Sequence, residues 1–537
     1  MSDHKAISLR RRKMLLVVTI LVAASVWISP WQRELAVGDE TKYSRVIHSM
    51  RESGSLLVLS IDDQLYTHKP PIHFWLILGL IPIFGFQSLW SFVLPSLVSF
   101  LLLLVVTHRF SSRIFGQKRL VAVFILSTFW LSWGLAQTAR MDHLFVLLIS
   151  LGALAMFRHF REGGAARLDL VALWLGVATL VKGPMAPVIG LGLFTFESIR
   201  RRRRPRIRDL VSLVIALAIP LVWLVPATLA GGREYADQLL VKQSLGRAIG
   251  AWVHSEPPWF YLAHFPGTFF PWFFLVLLAI VASLRANEST GPLDGARFCV
   301  SWFAAVLVPY SVISSKLDVY MLPAMVPASL LIAFLFDEGR TERLDRLTLI
   351  GNRLVAGFLF LLAGALLIAG FLMKGPEVEL LRHSDLRLIF TVTFAAGLIG
   401  LVAQLKWAPH PTGSSVVLGI VAMVPLLAVV TVGMPLLNRE ASTQPLVEVL
   451  RGLRVEGSDI ALYSTPHLWS RNMPDSFAEA RVVSENALRE GTRPEVIVAR
   501  EKRAAQLGPE LTGHYQQVAR VRMIGKEFHV YRYRRSD

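Results

Sequence analysis

Residues 37–75 read VGDETKYSRVIHSMRESGSLLVLSIDDQLYTHKPPIHFW, a polar island in a chain that is otherwise a string of apolar runs. The island opens on two adjacent carboxylates, Asp39 and Glu40, and continues through a helix-compatible segment, 41–52. It closes on His68, Lys69, Pro70 and Pro71, just before an aromatic, apolar stretch. Carboxylates at one end and a cation at the other suit a site that must position a nucleophile and neutralise a departing phosphate. The competing reading is an ordinary polar loop joining two membrane helices.

Outward from the island the composition sets the class. Over 537 residues the chain is 53% hydrophobic, with a mean hydropathy of +0.50. Many of its runs approach the ~20 apolar residues that a membrane-crossing helix needs. The expected fold is therefore mainly α, a polytopic membrane helical bundle. The net charge of +18 would suggest nucleic acid in a soluble protein, but its distribution argues against that partner. From Asn438 onward there are 16 basic and 13 acidic residues, which leaves +15 on the apolar part. There, basic clusters mark cytoplasmic loops, and membrane lipids are the expected neighbours. The single cysteine, Cys299, excludes an intrachain disulfide and a cysteine-based zinc site. Residues 10–13 are basic and precede an apolar run, 14–28, as in a signal peptide; no small-residue cleavage site follows, and the run reads as a retained first helix.

Taken in order, the charges assign sides. Arg10, Arg11, Arg12 and Lys13 hold the N-terminus in the cytoplasm, so the first span delivers the island to the outer face. The next apolar segment, 72–86, has only 15 residues and contains Pro82. If it crossed, the basic cluster Arg109, Arg113, Lys118 and Arg119 would lie outside, so the segment is read as interfacial or re-entrant. The remaining spans alternate in keeping with charge: near 88–106, 119–136, 143–157, 168–182, 185–199, 209–229, 259–284 and 298–313, a return span through Phe336, then 353–373, 386–406 and 414–436. The run 199–208, IRRRRRPRIR, is the strongest inside anchor. The count comes to about thirteen spans, with the C-terminus outside. Two domains are expected, a transmembrane domain 1–437 and a small outer α/β domain 438–537. The first holds a catalytic outer loop, 31–71, with interfacial helices, and a larger outer loop, 230–259. In the second, IALYS and EVIVAR read as strands, and the tail turns at 524–526 like a terminal hairpin.

Every outward-facing turn then carries polar residues that the inner loops do not resemble. Asp39, Glu40, Lys69, Asp142, Lys182, Lys316 and Tyr320 project to the same face. Ionisable residues at membrane ends often snorkel to the interface, but snorkelling alone would scatter them over both faces.

The ordered pattern GDETKY and then YTHKPPIHFW resembles the first outer loop of membrane glycosyltransferases that take sugars from polyprenyl phosphates. The aminoarabinose transferases of lipid A resemble it most, the protein O-mannosyltransferases more distantly. ARMDHLF is similar to that family's second acidic motif, ATLVKGPMAP to its Lys-Gly-Pro turn, HSEPPWFY to the His and aromatic pattern of the large loop, and SSKLDVYMLPAMVP to the late loop. The resemblance implies an inverting glycosyltransferase with a polyprenyl-phosphate-linked sugar donor and a lipid, glycan or protein acceptor. It implies Asp39, Lys69 and Asp142 as catalytic residues, with Glu40, Tyr43, Lys182, Arg233, Arg247, Lys316 and Tyr320 binding substrate. A residue often Glu before the Lys-Pro is His68 here; with His254 it supplies two candidate ligands for a divalent metal, fewer than a zinc site uses. The rival readings are a secondary transporter, which needs midplane ionisable groups and repeated halves, and an envelope-assembly subunit without chemistry.

Overall fold

The structure, a computed structural model, describes residues 2–33, 38–61, 64–86, 88–115, 119–162, 166–239, 256–286, 291–336, 341–372, 384–406, 408, 410–435, 444–454, 460–463, 481–483, 493–504, 513–523 and 526–534. Packing divides the chain into two compact units. One comprises Met1–Ser29, Thr67–His73 and Val93–Val432; the other comprises Pro30–Tyr66, Phe74–Phe92 and Gly433–Asp537.

The first unit is a helical bundle. Among the described residues, eight helical stretches are long and apolar enough to cross a membrane: Leu15–Gln32, Leu89–Phe115, Asp142–Glu162, Ile207–Leu239, Gly291–Val312, Glu342–Leu372, Ser384–Lys406 and Pro411–Gly433. The other expected spans fall on shorter pieces. The stretch near 119–136 is two helices, Arg119–Thr128 and Trp130–Ala136, parted at Phe129, whose ψ of 124° is extended. Those near 168–182 and 185–199 are helices of 17 and 16 residues, Ala166–Lys182 and Met185–Arg200. Phe273–Arg285 and Leu322–Phe334 have 13 residues each. Hydropathy sums across such breaks, whereas the backbone hydrogen-bond ladder does not. The helix Ile72–Phe84, also 13 residues, is about 20 Å long at 1.5 Å per residue, short of a ~30 Å hydrocarbon core.

Several polar groups inside the bundle are paired with one another, which an apolar solvent favours. The indole N–H of Trp272 donates to Thr128 Oγ1 at 3.0 Å, that of Trp133 to Ser25 Oγ at 2.9 Å, and Asn352 Nδ2 donates to the hydroxyls of Ser414 and Ser415. At the basic end of Met185–Arg200, the fully buried Glu197 accepts from Arg200, Arg201 and the Ser301 hydroxyl. The same two arginines reach Asp294 in the first turn of Gly291–Val312. This network ties the two helices together by charge-assisted bonds.

In the second unit, the island forms a helix, Gly38–Ser53, with Asp39 and Glu40 in its first turn and Arg51 in its last, the charge order that a helix dipole favours. Tyr43, Val46, Ile47 and Met50 are buried at i, i+3, i+4 and i+7, one apolar stripe. A two-residue hairpin pairs Ser60–Ile61 with Gln64–Leu65. The C-terminal segment forms a five-stranded sheet in the order Arg481–Val483, Ile460–Tyr463, Val496–Arg500, Lys526–Tyr533, Tyr515–Met523. The first three strands are parallel and the last two form an antiparallel hairpin. The helix Gln444–Leu453 buries Leu446, Val447 and Leu450. A small α/β fold is therefore present at this end of the chain, and its IALY and VIVAR strands are those the sequence announces.

Candidate active site

The site lies in the first unit and is assembled from helix ends. The helix Asp142–Glu162 begins on Asp142, so its carboxylate sits in the first turn, where the amide dipoles favour an anion. The helix Ala166–Lys182 ends on Lys182. Gly183 then takes φ +101°, the left-handed conformation that closes a helix, and its amide donates to the Thr179 carbonyl at 2.8 Å. This is the physical content of the Lys-Gly-Pro turn: the glycine reverses the chain and leaves the lysine presented at a helix end.

The Lys182 ammonium donates to one oxygen of Asp142, while Arg140 Nε donates to the other at 2.8 Å. Asp142 is 2% exposed, so these neighbours and the helix start, not solvent, compensate its charge. The same ammonium lies 5.1 Å from the ring centroid of Tyr320 and 5.5 Å from that of Phe145, cation–π distances for both. Tyr320 is in turn stacked on Tyr310, with centroids 5.0 Å apart and planes at 21°. Of the three N–H donors of Lys182, one is spent on Asp142; among the described residues the other two have no protein acceptor.

Lys182 faces a cavity of about 660 Å³. Its polar lining includes Thr67, His68, Lys69, Lys182 and Tyr320, and its apolar lining includes Leu180, Val188, Trp223, Leu224, Val312 and Ile313. Lys69 is half-buried and precedes Pro70, whose ring pushes the lysine backbone towards an extended conformation. Two cations on one cavity with a long apolar wall can hold a phosphate head that carries an apolar tail.

The structure therefore brings together Lys69, Lys182, Tyr320 and His68, residues separated by up to 252 positions. Asp142 does not line the cavity; it stands behind Lys182 and holds it. Three residues expected to bind substrate have other partners. Glu40 is fully buried and accepts two bonds of 2.7 Å from Arg33. Tyr43 is 2% exposed and meets Phe74 edge-on at 5.5 Å within the core of the second unit. Lys316 is 2% exposed, and its ammonium donates to the carbonyls of Glu256 and Ile313 at 2.8 and 2.6 Å, a clamp between two backbone segments. Asp39, in the second unit, keeps a partly exposed carboxylate 3.8 Å from Lys42. Arg233 is exposed after Gly232, whose φ is +71°. Arg247 and His254 lie outside the described residues. Among the described residues no group of three or more His, Cys, Asp or Glu side chains is placed to hold a metal ion.

Sequence reasoning missed Arg140, Arg33 and Tyr310. A basic residue two positions before Asp142 was a usable signal for the first. Nothing local marks Arg33 as the partner of Glu40 or Tyr310 as the support of Tyr320.

Residues 68–228, which contain Lys69, Asp142 and Lys182, match the family described as dolichyl-phosphate-mannose-protein mannosyltransferase. The chain is 26% identical over 344 residues to an undecaprenyl phosphate-alpha-4-amino-4-deoxy-L-arabinose arabinosyl transferase of Pseudomonas paraeruginosa, covering 62% of this chain and 61% of that one. It is 24% identical over 441 residues to such a transferase of Pseudomonas fluorescens, covering 78% and 72%. The solved structure of ArnT from Cupriavidus metallidurans bound to undecaprenyl phosphate superposes with a TM-score of 0.72 at 19% identity, over 96% of this chain and 97% of that one. The chain is an integral membrane protein, and it shares its fold with the polytopic glycosyltransferases of the C-type superfold. Within that class its likeness is to the aminoarabinose transferases, as the ordered turns of the sequence suggest.

Proposed function

We propose that this glycosyltransferase moves a sugar from a polyprenyl-phosphate donor to a lipid A, glycan or protein acceptor, with inversion at the anomeric carbon. The observation that carries the reading is the cavity in which Lys69 and Lys182, the latter with donors to spare, meet an extended apolar lining. An acceptor hydroxyl oxygen attacks the anomeric carbon as the bond from that carbon to the phosphate oxygen breaks, and polyprenyl phosphate leaves. Lys69 and Lys182 stabilise the charge that grows on the departing phosphate. Asp142 acts by positioning Lys182. Asp39, the first of the two carboxylates that open the island, takes the acceptor's proton.

The reaction belongs to the outer face of a bacterial-type inner membrane, with the N-terminus cytoplasmic and the C-terminus outside, as the loop charges support. Residues 1–437 carry the chemistry, and 438–537 serve acceptor recognition or stability. The test is to incubate the purified full chain with undecaprenyl-phosphate-linked sugars, to measure released undecaprenyl phosphate, and to compare lipid-linked glycans of cells with and without the protein. Release from at least one donor is expected. No release from any donor, with unchanged cellular glycans, would overturn the reading.

A further inference from the structure

Seven arginines crowd the connection between the helices Met185–Arg200 and Ile207–Ala218, at 200–204, 206 and 208. They divide into two sets. Arg200 and Arg201 are consumed by Glu197 and Asp294, and Arg203 faces Asp209 at 3.8 Å. Arg202, Arg204, Arg206 and Arg208 are exposed, and among the described residues none of the four makes an ion pair. The carboxylates Glu197, Asp294 and Asp209 are thus engaged by the first set, and the second set's charge is left uncompensated. Arg208 also stands in the first turn of a 12-residue helix, the end where the helix dipole disfavours a cation. An anion here would satisfy the guanidinium groups and the helix end together.

The apolar neighbours indicate which anion. Ile199 is 70% exposed and Ile207 75%, both beside these arginines, and an exposed apolar face continues along the next turns through Val211, Val214 and Val222. Residues 207, 211, 214, 218 and 222 recur at helical spacing, so this is one stripe. A free anion would have no use for it. Guanidinium groups at the head of an apolar strip match a lipid phosphate above its acyl chains.

We infer that Arg202, Arg204, Arg206 and Arg208 form a binding site for the phosphodiester headgroup of an anionic phospholipid, whose chains lie along the exposed face that begins at Ile207. The site is separate from the donor cavity, and its four arginines do not line that cavity.

The test is native mass spectrometry of the detergent-solubilised full chain titrated with phosphatidylglycerol or phosphatidylcholine. Phosphatidylglycerol should bind at least ~tenfold more tightly, given what each basic residue contributes near an anionic lipid surface. The preference should vanish in R202Q/R204Q/R206Q/R208Q and persist in the quadruple lysine variant, which keeps the charge. If the quadruple glutamine chain does not insert, R206Q/R208Q carries the test, with an expected loss of roughly threefold or more. Equal affinity for the two lipids, or a preference that survives the glutamine substitutions, would overturn the inference. So would displacement of the lipid by inorganic phosphate at equal concentration, which would mark a site for a free anion.

Discussion

The claim that Asp142 works through Lys182 makes a quantitative prediction. Lys182→Met removes the ammonium while keeping an unbranched apolar stem beside Phe145 and Tyr320. Loss of one preorganised cationic contact to the departing phosphate costs about 3 kcal/mol, roughly a hundredfold in kcat/KM. Asp142→Asn removes the anchor but leaves the ammonium over two ring faces, at 5.1 and 5.5 Å. Each such face contributes about 0.5–1 kcal/mol. Lys182 should then be only partly misplaced, with a loss of about tenfold, or ~1.4 kcal/mol. In the double variant the two effects should not multiply, because an anchor without its lysine has nothing to hold. The expected loss is that of Lys182→Met alone, about a hundredfold, and not the roughly thousandfold product. The assay is release of undecaprenyl phosphate by purified protein under kcat/KM conditions, with Tm recorded for each variant. That control is needed because breaking a buried ion pair costs about 3–5 kcal/mol of stability. A thousandfold loss in the double variant, or Lys182→Met within threefold of the parent, would refute the reasoning.

Three further outcomes follow from particular residues. Gly183→Ala forces a side chain into φ +101°, so Tm should fall by an amount corresponding to roughly 1–2 kcal/mol and kcat/KM should fall as Lys182 shifts. An unchanged Tm would show that the turn relaxes freely. Glu197→Gln removes the buried partner of Arg200, Arg201 and Ser301 and should lower stability by about 3 kcal/mol or more while turnover per folded molecule stays constant, since this network lies outside the cavity lining. Turnover lost in parallel with an intact Tm would assign the network a part in the reaction. A reporter active only in the cytoplasm, fused at Asp537, should be silent; strong activity there would reverse the sidedness of every loop.

The site was legible in the sequence only in part. Basic clusters predict that Asp39, Glu40, Lys69, Asp142, Lys182, Lys316 and Tyr320 share a face; of these, Lys69, Lys182 and Tyr320 line one cavity, with Asp142 behind Lys182. Depth was not legible. Lys316 and Lys182 look alike in sequence, each a lysine in an outward turn with a nearby tyrosine. One is buried against two carbonyls and the other lines the cavity, because that depends on which backbone segment passes over each. Glu40 and Asp39 are adjacent, and helix geometry turns one inward to Arg33 and the other outward. Four of the five strands of the C-terminal sheet were readable, since short apolar runs bounded by turn residues have few other fates; the three-residue strand Arg481–Val483 was too short to stand out. The span count was the least readable: a break at Phe129 or a 13-residue helix changes a crossing without changing the hydropathy.

The central claim is that Lys69 and Asp39 serve sugar transfer from a polyprenyl phosphate. It is met most directly by measuring turnover of an undecaprenyl-phosphate-linked sugar by purified parent, Lys69→Ala and Asp39→Asn proteins in one preparation. Both variants should insert and keep the parental Tm within a few degrees, yet lose about a hundredfold in rate, with Lys69→Ala also weaker for undecaprenyl phosphate. Turnover by both variants within threefold of the parent would contradict the account.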